Sequence, residues 1–210
     1  LNAPHENNVV ITRNTTESIN LVAATYGRTN LRAGDGIVIS AMEHHANIVP
    51  WQLLRDELGI DLQVAPIDDR GVLDLDAYST LLDQGTKLVA MTHCSNVLGS
   101  FTPAKDIIRL AHERGIPVLL DGSQAVVHST IDVQDLDVDF YVFTGHKFYG
   151  PTAIGVLYGK ADLLGKMPPY QGGGEMIDVV TYEKTTFKEP PYRFEAGTPP
   201  IVEVIGLGAA

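Results

Sequence analysis

Cysteine is nearly absent: Cys94 is the only one in 210 residues. That excludes an internal disulfide and any cysteine-rich zinc site. Positive charge is also scarce, with 15 Lys and Arg against 26 Asp and Glu and a formal net charge of −11. A nucleic-acid or anionic-membrane surface needs clustered cations, so this balance argues against both. It leaves room for one local cationic pocket around a phosphate. No apolar run approaches the ~18 residues of a membrane span. The opening residues Leu1-Asn2-Ala3-Pro4-His5-Glu6 have neither the basic segment nor the apolar core of a signal peptide. A reducing cytoplasm is the expected setting.

What is present is the composition of a soluble globular protein, 44% hydrophobic and 20% charged. The length suffices for one domain burying roughly 70% of its unfolded surface. The chain lacks an initiator methionine and opens almost directly into a strand-like run, Asn8 to Thr12. It closes inside an apolar, helix-like run, Ile201 to Ala210, with no stop signal. The expectation is a piece of a longer protein.

Seven short apolar runs stand out: Val9–Thr12, Ile37–Ser40, Leu62–Ile67, Lys87–His93, Val118–Asp121, Phe140–Gly145 and Ile154–Tyr158. Most are continuous rather than alternating, as strands buried on both faces require. Helical patterns separate the first six. One opens at Asn14-Thr15-Thr16-Glu17, where Asn14 can cap and Glu17 sits three residues on. Another runs near Ile48 to Leu58. A third starts at Thr102-Pro103, threonine as cap and proline at the first helical position, and stops at Gly115. Strand–helix alternation predicts an α/β fold with a mostly parallel sheet and right-handed crossovers. The link from Gly145 to Ala153 is too short for a helical crossover, so the seventh strand is predicted to be antiparallel. Beyond Lys160 the sequence reads as loop-rich, with Gly172-Gly173-Gly174 as a flexible tip.

A parallel sheet brings its strand C-termini to one edge, where open α/β sheets bind ligands. Five polar groups fall there: Asn14 to Thr16, Glu43-His44-His45, Thr92 to Asn96, Asp121 to Gln124, and Thr144 to Lys147. Lys147 is either a surface lysine or an amine placed to form a Schiff base with an aldehyde cofactor. Asp121 is either a turn former before Gly122 or the acid that holds a pyridinium proton. A lysine facing an aspartate across a ring is what pyridoxal phosphate (PLP) requires. Gln124 can bond the cofactor's phenolic oxygen or be a solvated loop residue, and His44 can stack on the ring. Thr15 and Thr16 open a helix, where free N–H groups favour a phosphate, although ordinary capping explains such residues as well. Thr144 and His146 can complete a phosphate cup. Asn96 can orient a substrate carboxylate or make a turn before Gly99. Cys94 reads as a small buried residue at a strand end rather than a nucleophile. His44 and His45 point in different directions on any regular element, so no metal site is expected. His93, His112 and His128 show no partner pattern and read as structural or solvent-facing.

The segments Asn14-Thr15-Thr16-Glu17-Ser18-Ile19-Asn20-Leu21-Val22, Met42-Glu43-His44-His45-Ala46-Asn47-Ile48-Val49-Pro50-Trp51, Ser95-Asn96-Val97-Leu98-Gly99, Asp121-Gly122-Ser123-Gln124-Ala125, Gly145-His146-Lys147-Phe148-Tyr149-Gly150-Pro151 and Arg193-Phe194-Glu195-Ala196-Gly197-Thr198-Pro199 resemble group II cysteine desulfurases. These are the Suf-type, selenocysteine-lyase-like members of the class V aminotransferases. The resemblance implies the large domain of a fold-type I PLP-dependent transferase, a seven-stranded mostly parallel sheet with one antiparallel strand and helices on both faces. It implies one incomplete PLP-binding domain over residues 1–210, without the family's N-terminal segment and C-terminal small domain. Lys147 matches the Schiff-base lysine, Asp121 the pyridine-nitrogen partner, His44 the stacking histidine and Gln124 the phenolic-oxygen contact. Thr16, Thr144 and His146 match phosphate ligands, with Thr15 beside them, and Asn96 lies near the substrate. Thr198 matches a phosphate contact lent by a second subunit, so a homodimer is implied. The implied reaction converts L-cysteine to L-alanine and leaves sulfur as an enzyme persulfide, for a sulfur-acceptor protein in iron-sulfur cluster assembly. L-selenocysteine is the alternative substrate, and an inert fragment that only binds a partner is the alternative role. The family's persulfide cysteine and its substrate-clamping arginine belong to the C-terminal part, so Cys94 does not inherit the persulfide role.

Overall fold

The computed structural model describes residues 1–210. Seven strands form one sheet: β1 (Val9–Thr12), β2 (Gly36–Ser40), β3 (Asp61–Ala65), β4 (Thr86–Thr92), β5 (Val118–Asp121), β6 (Phe140–Thr144) and β7 (Gly155–Gly159). Their order is β1-β7-β6-β5-β4-β2-β3. β7 runs antiparallel to both neighbours, and the other pairings are parallel, as the short link before it predicts. Strand ends differ from the sequence reading by a residue or two. β3 stops at Ala65 because Pro66 has no N–H for the ladder; Ile67 instead bridges Leu73.

Both sheet faces are buried, which explains the continuous apolar runs. Within each strand alternate residues enter two cores. Val38, Val89, Met91, Leu120, Tyr141 and Phe143 pack on one side with the helices Leu75–Leu82 and Ala104–His112. Ile37, Ile39, Leu88, Ala90, Leu119 and Val142 pack on the other, with the helices Thr15–Val22 and Val49–Leu58. Trp51, Phe140 and Tyr141 have no exposed surface.

Local signals mostly act as expected. Asn14 caps its helix, accepting the Glu17 N–H at 2.9 Å. Glu17 reaches back one residue further than a capping box, to the N–H of Arg13. Thr102 is not a cap. The helix begins at Ala104 with Pro103 before it, and the buried Thr102 hydroxyl instead donates to the carbonyls of Thr92 and His93 at the end of β4. Beyond Lys160 the chain is more ordered than its composition suggests. A helix spans Ala161–Lys166, and β8 (Ile177–Val180) pairs with β9 (Thr185–Phe187) in a separate hairpin. Its strands are short and largely exposed, so no buried period marks them. No helix is long and apolar enough to cross a membrane.

The connections leave β2 toward β3 on one side and β4 toward β5 on the other. β2 and β4 therefore flank the switch point of the sheet, where a crevice opens above the strand C-termini.

Candidate active site

A cavity of about 260 Å³ occupies that crevice. Its lining is almost wholly polar, with only Ala46 and Cys94 apolar. Lys147 and Asp121 both line it, and so do His44, Gln124 and Asn96. Thr15, Thr16, Thr144 and His146 line it as well. Nine of the ten residues singled out from the sequence thus converge. Thr198 does not: it lies in a separate groove with Arg13, Tyr170 and Glu195.

Each side chain is held by a short, specific device. Asp121 ends β5 and is buried, and its carboxylate accepts the Ser123 N–H at 2.9 Å. Burial pushes its carboxyl above the usual range. The hydrogen bonds of Ser123 and the charges of Lys147 and His44 pull the other way. The turn is tight because Gly122 lies against Tyr141: a Cβ there would come within 2.2 Å of the Tyr141 ring. Ser123 Oγ meets Thr15 Oγ1 at 2.6 Å, joining the aspartate's turn to the first residue of a helix. The first N–H groups of that helix have no intrahelical acceptor and carry the positive end of its dipole. Thr144 Oγ1 and His146 Nδ1, 3.0 Å apart, add polar groups beside it. Gly155 lets β7 pass that helix start, since a Cβ would meet the backbone of Asn14 at 2.6 Å.

Lys147 ends a 3-10 turn that follows β6 directly, Gly145–Lys147. Gln124 Nε2 meets His128 Nε2 at 3.1 Å, so His128 has a partner after all. His93 bonds the Tyr141 hydroxyl, and His112 pairs with Asp137 and Asp139. Asn96 is exposed at the tip of a turn in which Ser95 Oγ accepts two backbone N–H groups. Cys94 Sγ is buried and burial raises its thiol pKa, so it stays protonated and is a poor nucleophile.

The feature the sequence did not reveal is Glu43. Its carboxylate accepts from Asn47 Nδ2 at 2.8 Å, from the Thr92 N–H at 2.9 Å and from the Ser40 hydroxyl. Burial pushes it up to about 7. The Glu43–Asn47 spacing is one turn, but the bond to Thr92 spans 49 residues and has no local signature.

Chemically, the cavity combines an amine, a buried acid, hydroxyls, imidazoles and a helix N-terminus in one lining. It suits a polar ligand that carries an anionic group.

Known proteins are similar to this chain in sequence and fold. The aminotransferase class-V family pattern matches residues 1–210. A cysteine desulfurase of Dickeya dadantii (strain 3937) is 56% identical over 211 residues, covering all of this chain and 51% of that protein. The crystal structure of the cysteine desulfurase CsdA, in an S-sulfonic acid form, from Escherichia coli superposes with a TM-score of 0.97 at 45% identity. That match covers 100% of this chain and 52% of the other. A mutant of C-DES with glycine covalently linked to its PLP cofactor superposes with a TM-score of 0.83 at 27% identity, over 96% of this chain and 54% of the other. The chain spans about half the length of the curated relatives it matches.

Proposed function

Because this chain belongs to the class-V aminotransferase family over all its residues, we propose that its cavity holds PLP and that the whole protein is a cysteine desulfurase. The observation that carries this reading is the convergence of Lys147 and Asp121 in one polar cavity that is also lined by a helix N-terminus. The residues fit the cofactor group by group. Thr16, Thr144, His146 and the free N–H groups beside Thr15 would hold the phosphate. Lys147 would bond the aldehyde carbon. Asp121 would keep a proton on the pyridine nitrogen, Gln124 would meet the phenolic oxygen, and His44 would cover the ring. When bound, PLP supplies an electron sink for negative charge at the substrate α-carbon.

Lys147, the amine that lines this cavity, would also serve as the base that moves the substrate α-proton. Asn96, at the cavity rim, would orient the amino-acid substrate. In the overall reaction L-cysteine and an enzyme thiol give L-alanine and an enzyme persulfide. The carbon–sulfur bond of cysteine breaks, a sulfur–sulfur bond forms, and no external oxidant is needed. Cys94 is not that thiol, being buried and protonated. We assign the persulfide cysteine and the substrate-clamping arginine to the part of the relatives that this chain does not span. Residues 1–210 are then the incomplete large domain, of the group II, Suf-type kind. L-selenocysteine is the competing substrate. Thr198, outside the cavity of its own chain, would serve a second subunit in a homodimer. The persulfide would pass to a sulfur-acceptor protein for iron-sulfur cluster assembly, in a reducing cytoplasm.

Borohydride reduction after incubation with PLP, followed by peptide mass spectrometry, tests the core of this reading. A pyridoxyl adduct on Lys147 is expected. No adduct, or one on another lysine alone, rejects it.

A further inference from the structure

β2 and β4 stop pairing before either strand ends. Their paired register ends at Val38 and Val89, whereas β2 runs on to Ser40 and β4 to Thr92, which lines the cavity. Two side chains bond to the β4 backbone beyond the last paired residues. Asn47 Nδ2 donates to the Ala90 carbonyl at 3.0 Å, and Glu43 Oε1 accepts the Thr92 N–H at 2.9 Å. The two are joined to each other, Asn47 Nδ2 donating to Glu43 Oε2 at 2.8 Å. Trp51 Nε1 donates to Asn47 Oδ1 at 2.9 Å and fixes which way the amide faces. His44 follows Glu43 directly, and its Nδ1 accepts the Ala46 N–H at 3.1 Å. The turn that presents His44 to the cavity is therefore pinned to β4 on both sides of it.

We propose that Glu43 is a positioning residue for His44: with Asn47 it takes over the β4 backbone bonds where the β2–β4 pairing ends and sets the imidazole's seat over the cavity. The inference rests on the reading of this cavity as a PLP site with His44 against the ring. The network has no cation. All the donors to Glu43 are neutral, so the carboxylate is held by hydrogen bonds alone. Its charge feels Asp121 on β5, and Asp121 in turn feels Lys147 and His44. Burial places the Glu43 proton equilibrium at about 7, where a gained proton weakens its hold on Thr92. The seat of His44 thus depends on pH through a group that does not itself line the cavity.

Two measurements test this. In the cofactor-free protein the Thr92 amide resonance should titrate with a midpoint near 7 and cease to do so in Glu43→Gln. In a double-mutant cycle on PLP affinity, Glu43→Gln should weaken binding roughly tenfold when His44 is present and far less in a His44→Ala background. Should Glu43→Gln not fold, Asn47→Ala removes the donor to Ala90 and Glu43 and carries the same cycle. An unmoved Thr92 amide, or equal losses in both backgrounds, overturns the inference and leaves Glu43 a packing residue. A wild type that takes up no PLP rejects the preceding reading instead. The His44 ring-proton shifts of cofactor-free wild type and Glu43→Gln then decide, and coincident shifts overturn the positioning role.

Discussion

The Tyr141 ring fills the space that a side chain at position 122 would need: a Cβ on Gly122 would lie 2.2 Å from its hydroxyl end. Tyr141 is fully buried on β6, and its hydroxyl meets His93 Nδ1 at 3.0 Å. The Asp121 turn thus rests on an aromatic floor that cannot slide. Gly122→Ala should destabilise the fold by about 1–3 kcal/mol, the usual cost of overpacking, and displace Asp121. Urea unfolding measures the loss. It should shrink when Tyr141→Leu is combined with it, because the two positions share one space.

Two buried groups bend the pH–stability curve in opposite directions. Burial lowers His93 from 6.5 to about 4. Between those values the unfolded chain binds the proton more readily, so this contribution is present above about pH 6.5 and lost as pH falls toward 4. Glu43 rises from 4.5 to about 7. There the folded chain binds the proton more readily, so its contribution is present below about 4.5 and lost as pH rises through 7. Thermal melting across pH 4–8 should show His93→Phe flattening the acid limb and Glu43→Gln flattening the neutral one. A curve unchanged by both substitutions contradicts the assignment.

The sheet was legible because both of its faces are buried. Continuous runs such as Val118 to Asp121 leave little else for the chain to be, and the short link after Gly145 dictated the antiparallel β7. The cavity was legible for a related reason: parallel strands bring their C-terminal residues together whatever their spacing in sequence. What stayed hidden rests on contacts across the fold. Thr102 has the local look of a cap, yet its hydroxyl is claimed by β4. Glu43 looks like a flank to a histidine pair until Thr92, 49 residues away, is seen to donate to it. The β8–β9 hairpin was missed because exposed strands carry no burial period.

Trp51 is the only tryptophan, fully buried and bonded to Asn47, so its fluorescence reports on the network beneath His44. Emission should be blue-shifted in the folded protein and move to the red on unfolding. Trp51→Phe leaves Asn47 Oδ1 without its donor and should cost about 1–3 kcal/mol, the penalty of an unsatisfied buried acceptor. Chemical denaturation followed by circular dichroism reads that cost in the variant that lacks the fluorophore.

Thr144 offers the sharpest separation of phosphate binding from ring binding. Its hydroxyl lies 3.0 Å from His146 Nδ1 in the lining of the cavity, on a buried residue that closes β6. Valine has nearly the same shape and no hydroxyl, so Thr144→Val would remove the hydrogen bond proposed to the charged phosphate, along with the hydroxyl's contacts to His146 and the Ile154 carbonyl. Such bonds are worth roughly 1.5–3 kcal/mol, which corresponds to about tenfold to a hundredfold in affinity. PLP should bind the variant that much more weakly. Pyridoxal, which has the ring and aldehyde but no phosphate, should bind wild type and variant alike, and Thr144→Ser should restore PLP binding. Equal losses for PLP and pyridoxal would place the phosphate elsewhere. The hydroxyl would then belong to the strand end rather than to the ligand.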